Sequence, residues 1–249
     1  MEEIRISSRK NALLQQVKKL LTSRKERQET GLFVADGTKL LAEAVKYWPG
    51  LETVILSDGV EAQTPEYVKR IRVPGDVMES ISPMETPQGA LFVCRLPEKS
   101  AFVPKAGMLL LDGIQDPGNL GTILRTADAL QIPVALLEGC ADPYSHKVVR
   151  ASMGAVFRTP VVMTTWAEAS AACAEKNIPI AVTALSDSAV DIRNANLKEM
   201  AVVIGSEGQG VRQEILNAAA NQLIIPMDSR CESLNAAIAA AITMWQMKL

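Results

Sequence analysis

The sequence contains a single histidine, His146, so a metal site built on several imidazoles is excluded and ordinary histidine general-base catalysis has few options. Cysteine is nearly as scarce. Cys94, Cys140, Cys173 and Cys231 lie 33 or more residues apart, which fits neither the paired spacing of a zinc site nor the density of a disulfide-stapled secreted scaffold, and all four read as reduced core thiols. Aromatic residues make up only 4% of the chain, which weighs against modules that stack single-stranded bases on a sheet of Phe and Tyr. An excess of one charge is missing too: 26 Lys and Arg against 28 Asp and Glu leave a net charge of −2, which by itself advertises no nucleic-acid partner. The N-terminus has no apolar signal segment, and no run of about 18 uncharged apolar residues precedes the last helix, so a cytoplasmic location is expected.

What is present is an ordinary globular composition, 48% apolar and 22% charged over 249 residues, enough for one to two domains with a sizeable core. The near-neutral total hides an uneven distribution. Residues 1–27 hold eight basic residues against three acids, a local +5, whereas 101–249 hold eleven against fourteen, or −3. A basic N-terminal arm is either a contact for an anionic polymer or a solvated helix face.

The apolar spacing of Leu13, Leu14, Val17, Leu20 and Leu21 predicts an amphipathic helix over 11–27 with its basic residues off the apolar stripe. Short apolar runs at 32–35, 53–56 and 90–94 then alternate with helical patterns at 39–47, 65–69 and 76–81, as in a small α/β domain. A proline-containing stretch, 97–107, suits a linker. Beyond it, continuous apolar runs at 108–111, 134–137, 179–183, 201–204 and 222–225 read as buried strands, alternating with helices at 119–131, 166–176, 211–219 and 233–247. This is the pattern of a parallel sheet covered by helices, whose ligands sit beyond the carboxyl ends of the strands.

Three such loops carry candidate chemistry. Gly205-Ser-Glu-Gly-Gln-Gly210 has the wrong glycine order for a dinucleotide fingerprint, and reads as a tight turn or a close backbone approach to a ligand, with Glu207 inside it. In the loop after Leu111, Asn119 reads first as a helix N-cap, and Arg125 falls opposite the apolar face of Leu120, Ile123, Leu124 and Leu130. That arginine is either solvated or reaches a partner subunit or RNA. In the third segment Ser233 is a plausible cap for a helix with two apolar faces. One is the stripe Leu234, Ile238, Ile242 and Trp245, and the other is cut down to Ala236, Ala239, Ala240 and Thr243, which would let another helix approach closely.

Together, Asp116-Pro-Gly-Asn-Leu-Gly-Thr-Ile-Leu-Arg-Thr-Ala-Asp128, Val203-Ile-Gly-Ser-Glu-Gly-Gln-Gly210, and Ile225-Pro-Met227 with Ser233-Leu-Asn235 resemble the three signature motifs of the SpoU (TrmH) family of RNA ribose 2′-O-methyltransferases, in the SPOUT superfamily. The likeness spans about 105–249. Residues 1–95, from Ser8-Arg-Lys-Asn11 through Phe33-Val-Ala-Asp-Gly37, resemble more loosely the family's N-terminal substrate-binding domain. The resemblance implies an α/β fold, with an L30e-like RNA-binding domain over 1–97, a linker over 98–107 and a SPOUT methyltransferase domain with a trefoil knot over 108–249, an exception to the rule that chains avoid knots. It implies S-adenosyl-L-methionine as cofactor, contacted by Thr183, Leu185, Gly205, Ile225 and Leu234. It implies a homodimer with the site at the subunit boundary, which accounts for the alanine-lined helix face and the outward Arg125. The catalytic residues carried over are Arg125, Asn119, Glu207, Ser233 and Asn235. RNA contacts are expected from Arg9, Lys10, Arg24, Lys25, Arg27, Lys147 and Arg150. The chain departs from the family pattern at His146, where proline is frequent, and at Asp36, where Glu is common.

Ribosomal RNA of the 23S type is the expected substrate, because an added N-terminal domain resembles the ribosomal members more than the minimal tRNA ones. Methylation of tRNA, a resistance role on rRNA, methylation of a base nitrogen, and a non-catalytic RNA-binding protein on the same fold are the alternatives.

Overall fold

The computed structural model describes residues 3–159, 161–186, 188–228 and 230–249. The chain divides into two compact units, Met1–Glu98 with Asp142–Pro160, and Lys99–Ala141 with Val161–Leu249.

The first unit opens with β1 (Ile4–Arg5) and α1 (Ala12–Thr22), whose cap Asn11 accepts from the Leu13 N–H and whose Leu14, Val17, Leu20 and Leu21 are buried. The single helix expected over 11–27 is two. Ser23 takes extended backbone and its hydroxyl accepts from the Glu26 N–H, so it ends α1 and caps α2 (Arg24–Thr30), which closes on Gly31 at φ +68°. There follow β2 (Leu32–Asp36), α3 (Thr38–Tyr47), β3 (Leu51–Ser57), β4 (Lys69–Val73), α4 (Gly75–Ile81) and β5 (Ala90–Arg95). The sheet order is β1-β4-β3-β5-β2, with β5 antiparallel to both neighbours. The helical pattern expected at 65–69 is absent and β4 begins there instead. Its Lys-Arg-Ile-Arg-Val alternates with period two, Ile71 and Val73 buried while Arg70 and Arg72 turn outward to Glu3 and Glu61.

The second unit begins with β6 (Met108–Leu111), α5 (Pro117–Leu130) and β7 (Val134–Leu136). The chain then returns to the first unit through α6 (His146–Ala151) and α7 (Ala155–Arg158). Two contacts fix that return. Arg27 is only 4% exposed, with Nε 2.8 Å from Asp142 Oδ2 and Nη1 2.5 Å from the Leu20 carbonyl oxygen. Five of the chain's few aromatics, Phe33, Trp48, Phe92, Tyr144 and Phe157, form one cluster with ring centroids 5.1–6.3 Å apart. The scarce rings are used for packing.

The second unit resumes with β8 (Val162–Met163), α8 (Trp166–Glu175), β9 (Ile180–Thr183), β10 (Val190–Asp191), β11 (Ala201–Ile204), α9 (Gln213–Ala218), β12 (Asn221–Ile224) and α10 (Ala236–Gln246). Its seven strands are parallel in the order β10-β12-β9-β11-β6-β7-β8. The central strands β6 and β11 are buried along their whole length, as their unbroken apolar runs require. The carboxyl ends of β6, β9, β11 and β12 open into the three motif-bearing loops and the segment after Thr183. No helix among the described residues is long and apolar enough to cross a membrane.

Candidate active site

Asn119 is not the cap of its helix. Pro117, which has no N–H to satisfy, occupies the first turn, so α5 starts two residues earlier than expected and Asp116 caps it by accepting from the Asn119 N–H at 2.8 Å. The Asn119 side chain is thereby free, and its amide donates to Glu207 Oε1. Its carbonyl oxygen accepts from the Asn235 amide at 3.0 Å. Asn235, rather than Ser233, caps α10, its Oδ1 accepting from the Ala237 and Ile238 N–H groups at 2.9 and 3.3 Å. Because that carbonyl oxygen is committed to the helix, only the amide remains to face Asn119, and Asn119 must then turn its own amide to the carboxylate. One residue from each motif joins a single directed chain, Asn235 to Asn119 to Glu207.

The glycine loop is held as a small closed hairpin. Ser206 and Gly210 exchange two backbone hydrogen bonds of 3.1 and 3.0 Å, and Gly210 stands at φ +67°. A Cβ on Gly205 would run into the backbone of Gly210 and Val211, so glycine is required there by close approach. Beside the loop lies a cavity of about 470 Å³. All five expected cofactor positions, Thr183, Leu185, Gly205, Ile225 and Leu234, line it, and so do Glu207 and Ser233. The sequence did not single out Ser186 and Gln222, which add a polar edge through a 2.7 Å hydrogen bond. Glu207 is the only charged side chain on the described wall. A pocket of this volume, mostly apolar and loop-lined with one carboxylate, fits an amphipathic, cationic small molecule of nucleoside size.

The double duty of Asn235 gives a separable prediction. Asn235→Asp keeps the capping oxygen and replaces the amide donor with an acceptor aimed at Asn119. Thermal unfolding should show a stability change within about 1 kcal/mol, whereas turnover should fall at least ~10-fold as the directed chain is broken.

Arg125 is exposed on the same face of α5 as Gly118 and Thr122, and it forms no ion pair or hydrogen bond among the described residues. No hydrogen bond or ion pair among the described residues joins it to Asn119, Glu207 or Asn235. The two faces of α10 are the reverse of the expected ones. Ala236, Ala237, Ala240 and Thr243 are buried within the chain, with α5 packed against the helix, while Ile238, Ile242 and Trp245 are exposed. Small side chains let α5 approach closely, and Ile238, Ile242 and Trp245 are left on the outer face.

The expected RNA contacts lie in the first unit and differ in availability. Lys10, Arg24 and Lys147 are exposed, Arg9 pairs with Asp76 at 2.7 Å, Lys25 stands 3.7 Å from Glu29, and Arg150 is exposed against the Met84 sulfur. Arg27 is unavailable to phosphate, since it is buried and held by Asp142. His146 belongs to this unit too. Its Nδ1 lies 3.1 Å from the Leu21 carbonyl oxygen, and burial lowers its pKa. Cys94, Cys140 and Cys173 are buried free thiols as expected, whereas Cys231 is exposed. No group of three or more His, Cys, Asp or Glu among the described residues is placed to hold a metal ion.

Residues 107–245 match the SpoU rRNA Methylase family, and residues 11–91 match the MRM3-like substrate binding domain. The 23S rRNA (guanosine(2553)-2′-O)-methyltransferase of Bacillus subtilis is 32% identical over 98% of each chain. Among solved structures, an AdoMet-bound rRNA methyltransferase from Sinorhizobium meliloti is 27% identical, with a TM-score of 0.84 over 99% of this chain and 97% of that one. The SpoU methyltransferase AviRb from Streptomyces viridochromogenes in complex with AdoMet is 26% identical, with a TM-score of 0.81 over 95% and 97%.

Proposed function

The chain belongs to the SpoU rRNA methylase family, and from that premise we propose that it transfers the methyl group of S-adenosylmethionine to a ribose 2′-hydroxyl of RNA, with 23S-type ribosomal RNA as substrate. The observation that carries this reading is the Asn235–Asn119–Glu207 chain, which joins one residue from each motif and ends on Glu207 in the wall of a cavity that fits a cationic nucleoside ligand. When bound, the cofactor supplies an electrophilic methyl on a sulfonium. Leu185, Ile225 and Leu234 would offer it apolar surface, the backbone about Gly205 would let it approach without a side chain in the way, and Glu207 would offset positive charge through charge-assisted contacts. Asn119 and Asn235 hold that carboxylate in place, while Ser233 on the cavity wall positions the ribose.

The 2′-hydroxyl is a poor nucleophile until its proton is polarised or removed. A guanidinium does not give up its own proton, so Arg125 is not the base. It binds the adjoining phosphate and stabilises the developing alkoxide, and the proton leaves late, to water or to Glu207.

The working form is a homodimer. Ile238, Ile242 and Trp245 share one face of α10 at positions i, i+4 and i+7, and at 51%, 37% and 59% exposure they form an uncovered apolar stripe. A second copy seated there buries it and provides the subunit boundary at which an outward Arg125 can act. Trp245→Glu should convert the dimer to a monomer in sedimentation equilibrium and remove turnover. A fully active monomer would refute this arrangement.

Phosphate contacts in the first unit fall to Lys10, Arg24, Lys147 and Arg150, in keeping with the positive charge of the N-terminal arm. The trefoil knot is proposed for the segment through β12 and α10, supported by the wall that Ile225, Met227, Ser233 and Leu234 share with the 205–211 loop. A cytoplasmic location accords with the free thiols. The substrate class is tested by mapping ribose methylation in cells with and without the gene. One 23S rRNA position should lose its 2′-O-methyl group in the deletion, and a change confined to tRNA would overturn the assignment.

A further inference from the structure

We propose that Arg212 is a positioning residue for the methyl-donor site, acting through Asp112 on the loop that carries Glu207. The inference rests on the function proposed above.

Asp112 ends the β6 run and is 2% exposed, so its carboxyl oxygens must be supplied with donors locally. One residue supplies them. The Arg212 backbone N–H donates to Oδ2 at 2.9 Å and its Nε to Oδ1 at 2.7 Å. The Asp112 backbone N–H in turn donates to the Ile204 carbonyl oxygen at 2.8 Å. Ile204 directly precedes the 205–211 loop and Arg212 directly follows it, so Asp112 grips both stems of the loop, one with its backbone and one with its side chain. Asp112 is also the first residue of the connection that leads to the cap Asp116 and to Asn119. Both partners of the Asn119–Glu207 hydrogen bond therefore hang from the same pair.

The rest of the guanidinium extends the clamp sideways. Nη2 lies 2.8 Å from Glu138 Oε2, and Glu138 also accepts from the Trp166 N–H at the start of α8. Arg212 thus ties together the carboxyl ends of β11, β6 and β7, which are neighbours in the sheet. Neither Asp112 nor Arg212 lines the cavity, so their influence on it runs through the loop.

Lysine at 212 retains the charge and the backbone donor but loses the Nε and Nη fork. Arg212→Lys should weaken S-adenosylmethionine binding by ~10-fold in calorimetry and lower kcat at saturating cofactor by up to ~100-fold, as expected when reacting groups are misplaced by about 1 Å. The readout that a merely structural ion pair would not move is the coupling to Glu207. If Arg212 works by placing Glu207, then Arg212→Lys combined with Glu207→Gln costs clearly less than the product of the two single effects. Asp112→Asn, which keeps the side-chain shape, should show the same coupling, and circular dichroism verifies that each variant is folded. Wild-type affinity in Arg212→Lys, or multiplicative effects with Glu207→Gln in both folded variants, overturns the inference and leaves the function standing. Absence of cofactor binding by the unaltered protein overturns both.

Discussion

Arg125→Ala should reduce methyl transfer by ~10²–10³-fold, the range found when one preorganised donor to a developing oxyanion is removed, while S-adenosylmethionine affinity stays within about twofold of the unaltered protein. Arg125 carries no structural duty that would confuse the result. It is exposed, it has no ion-pair partner among the described residues, and the apolar face of α5 made by Leu120, Ile123, Leu124 and Ala127 is untouched by the change. An exposed arginine without a partner is normally dispensable to stability, so a large kinetic loss with unchanged unfolding would mark a group that acts on substrate. Arg125→Lys separates charge from geometry. A lysine supplies a point charge in place of the planar fork, and the proposed bidentate hold on phosphate predicts that it recovers little of the rate. Activity near wild type in Arg125→Lys would reduce the role to charge alone, and an undiminished rate in Arg125→Ala would remove the catalytic assignment.

The second large effect is expected at Gly205. Its backbone lies against Gly210 and Val211 across the Ser206–Gly210 bridge, and an added methyl collides with main-chain atoms on the far side of the hairpin. Flexible side chains can move aside, but here the hairpin itself must open. Overpacking of this kind costs about 1–3 kcal/mol. The ligand-free protein is expected to relieve most of it by opening the loop, and cofactor binding is expected to require the loop closed. Gly205→Ala should therefore weaken cofactor binding by up to ~100-fold with a smaller drop in the melting temperature of the ligand-free protein. The rise in melting temperature that the cofactor produces should be lost at concentrations that saturate the unaltered protein. Wild-type affinity in Gly205→Ala would show that the closed hairpin is unrelated to binding.

Much of the second unit was legible because its strands are continuous apolar runs and its loops hold residue types with few structural uses. Unbroken Met-Leu-Leu-Leu and Ala-Val-Val-Ile segments suit strands buried on both faces, as in a parallel sheet covered by helices, and the structure has them as β6 and β11. The five positions that the family resemblance implied for the cofactor, Thr183, Leu185, Gly205, Ile225 and Leu234, all line one cavity. What eluded the sequence was set by tertiary contacts or by competition between caps. Asn119 and Ser233 both have good capping chemistry, but Asp116 with Pro117, and Asn235 with its neighbouring N–H groups, take those roles. Arg27 reads as one more charge in a basic arm, since nothing nearby in sequence announces Asp142, 115 residues away. β4 was hidden because two arginines occupy its outward positions and mask the alternation. The faces of α10 were assigned by size, on the assumption that large apolar residues go inward, while α5 needs the small face to approach closely. The excursion of 142–160 into the first unit left no mark in composition, because its aromatic anchors Tyr144 and Phe157 are ordinary core residues until their partners Phe33 and Trp48 are known.

The basic arm and the near-neutral total charge are reconciled by a division between the units. Cationic side chains exposed in the first unit are suited to phosphate, and the second unit, with nine basic against thirteen acidic residues over 99–141 and 161–249, suits a cationic cofactor at the proposed site. Few aromatics are compatible with RNA as substrate because a ribose-directed enzyme acts on the sugar.

Passage of a methyl group from S-adenosylmethionine to a ribose 2′-oxygen can be followed chemically. The most direct measurement incubates the purified protein with methyl-tritiated S-adenosylmethionine and unmodified 23S rRNA, digests the RNA with alkali, and separates the products. Methylation of the 2′-oxygen blocks alkaline cleavage at that nucleotide, so the label is predicted in an alkali-resistant dinucleotide that yields a 2′-O-methylnucleoside. Label in a mononucleotide with a methylated base would contradict the account.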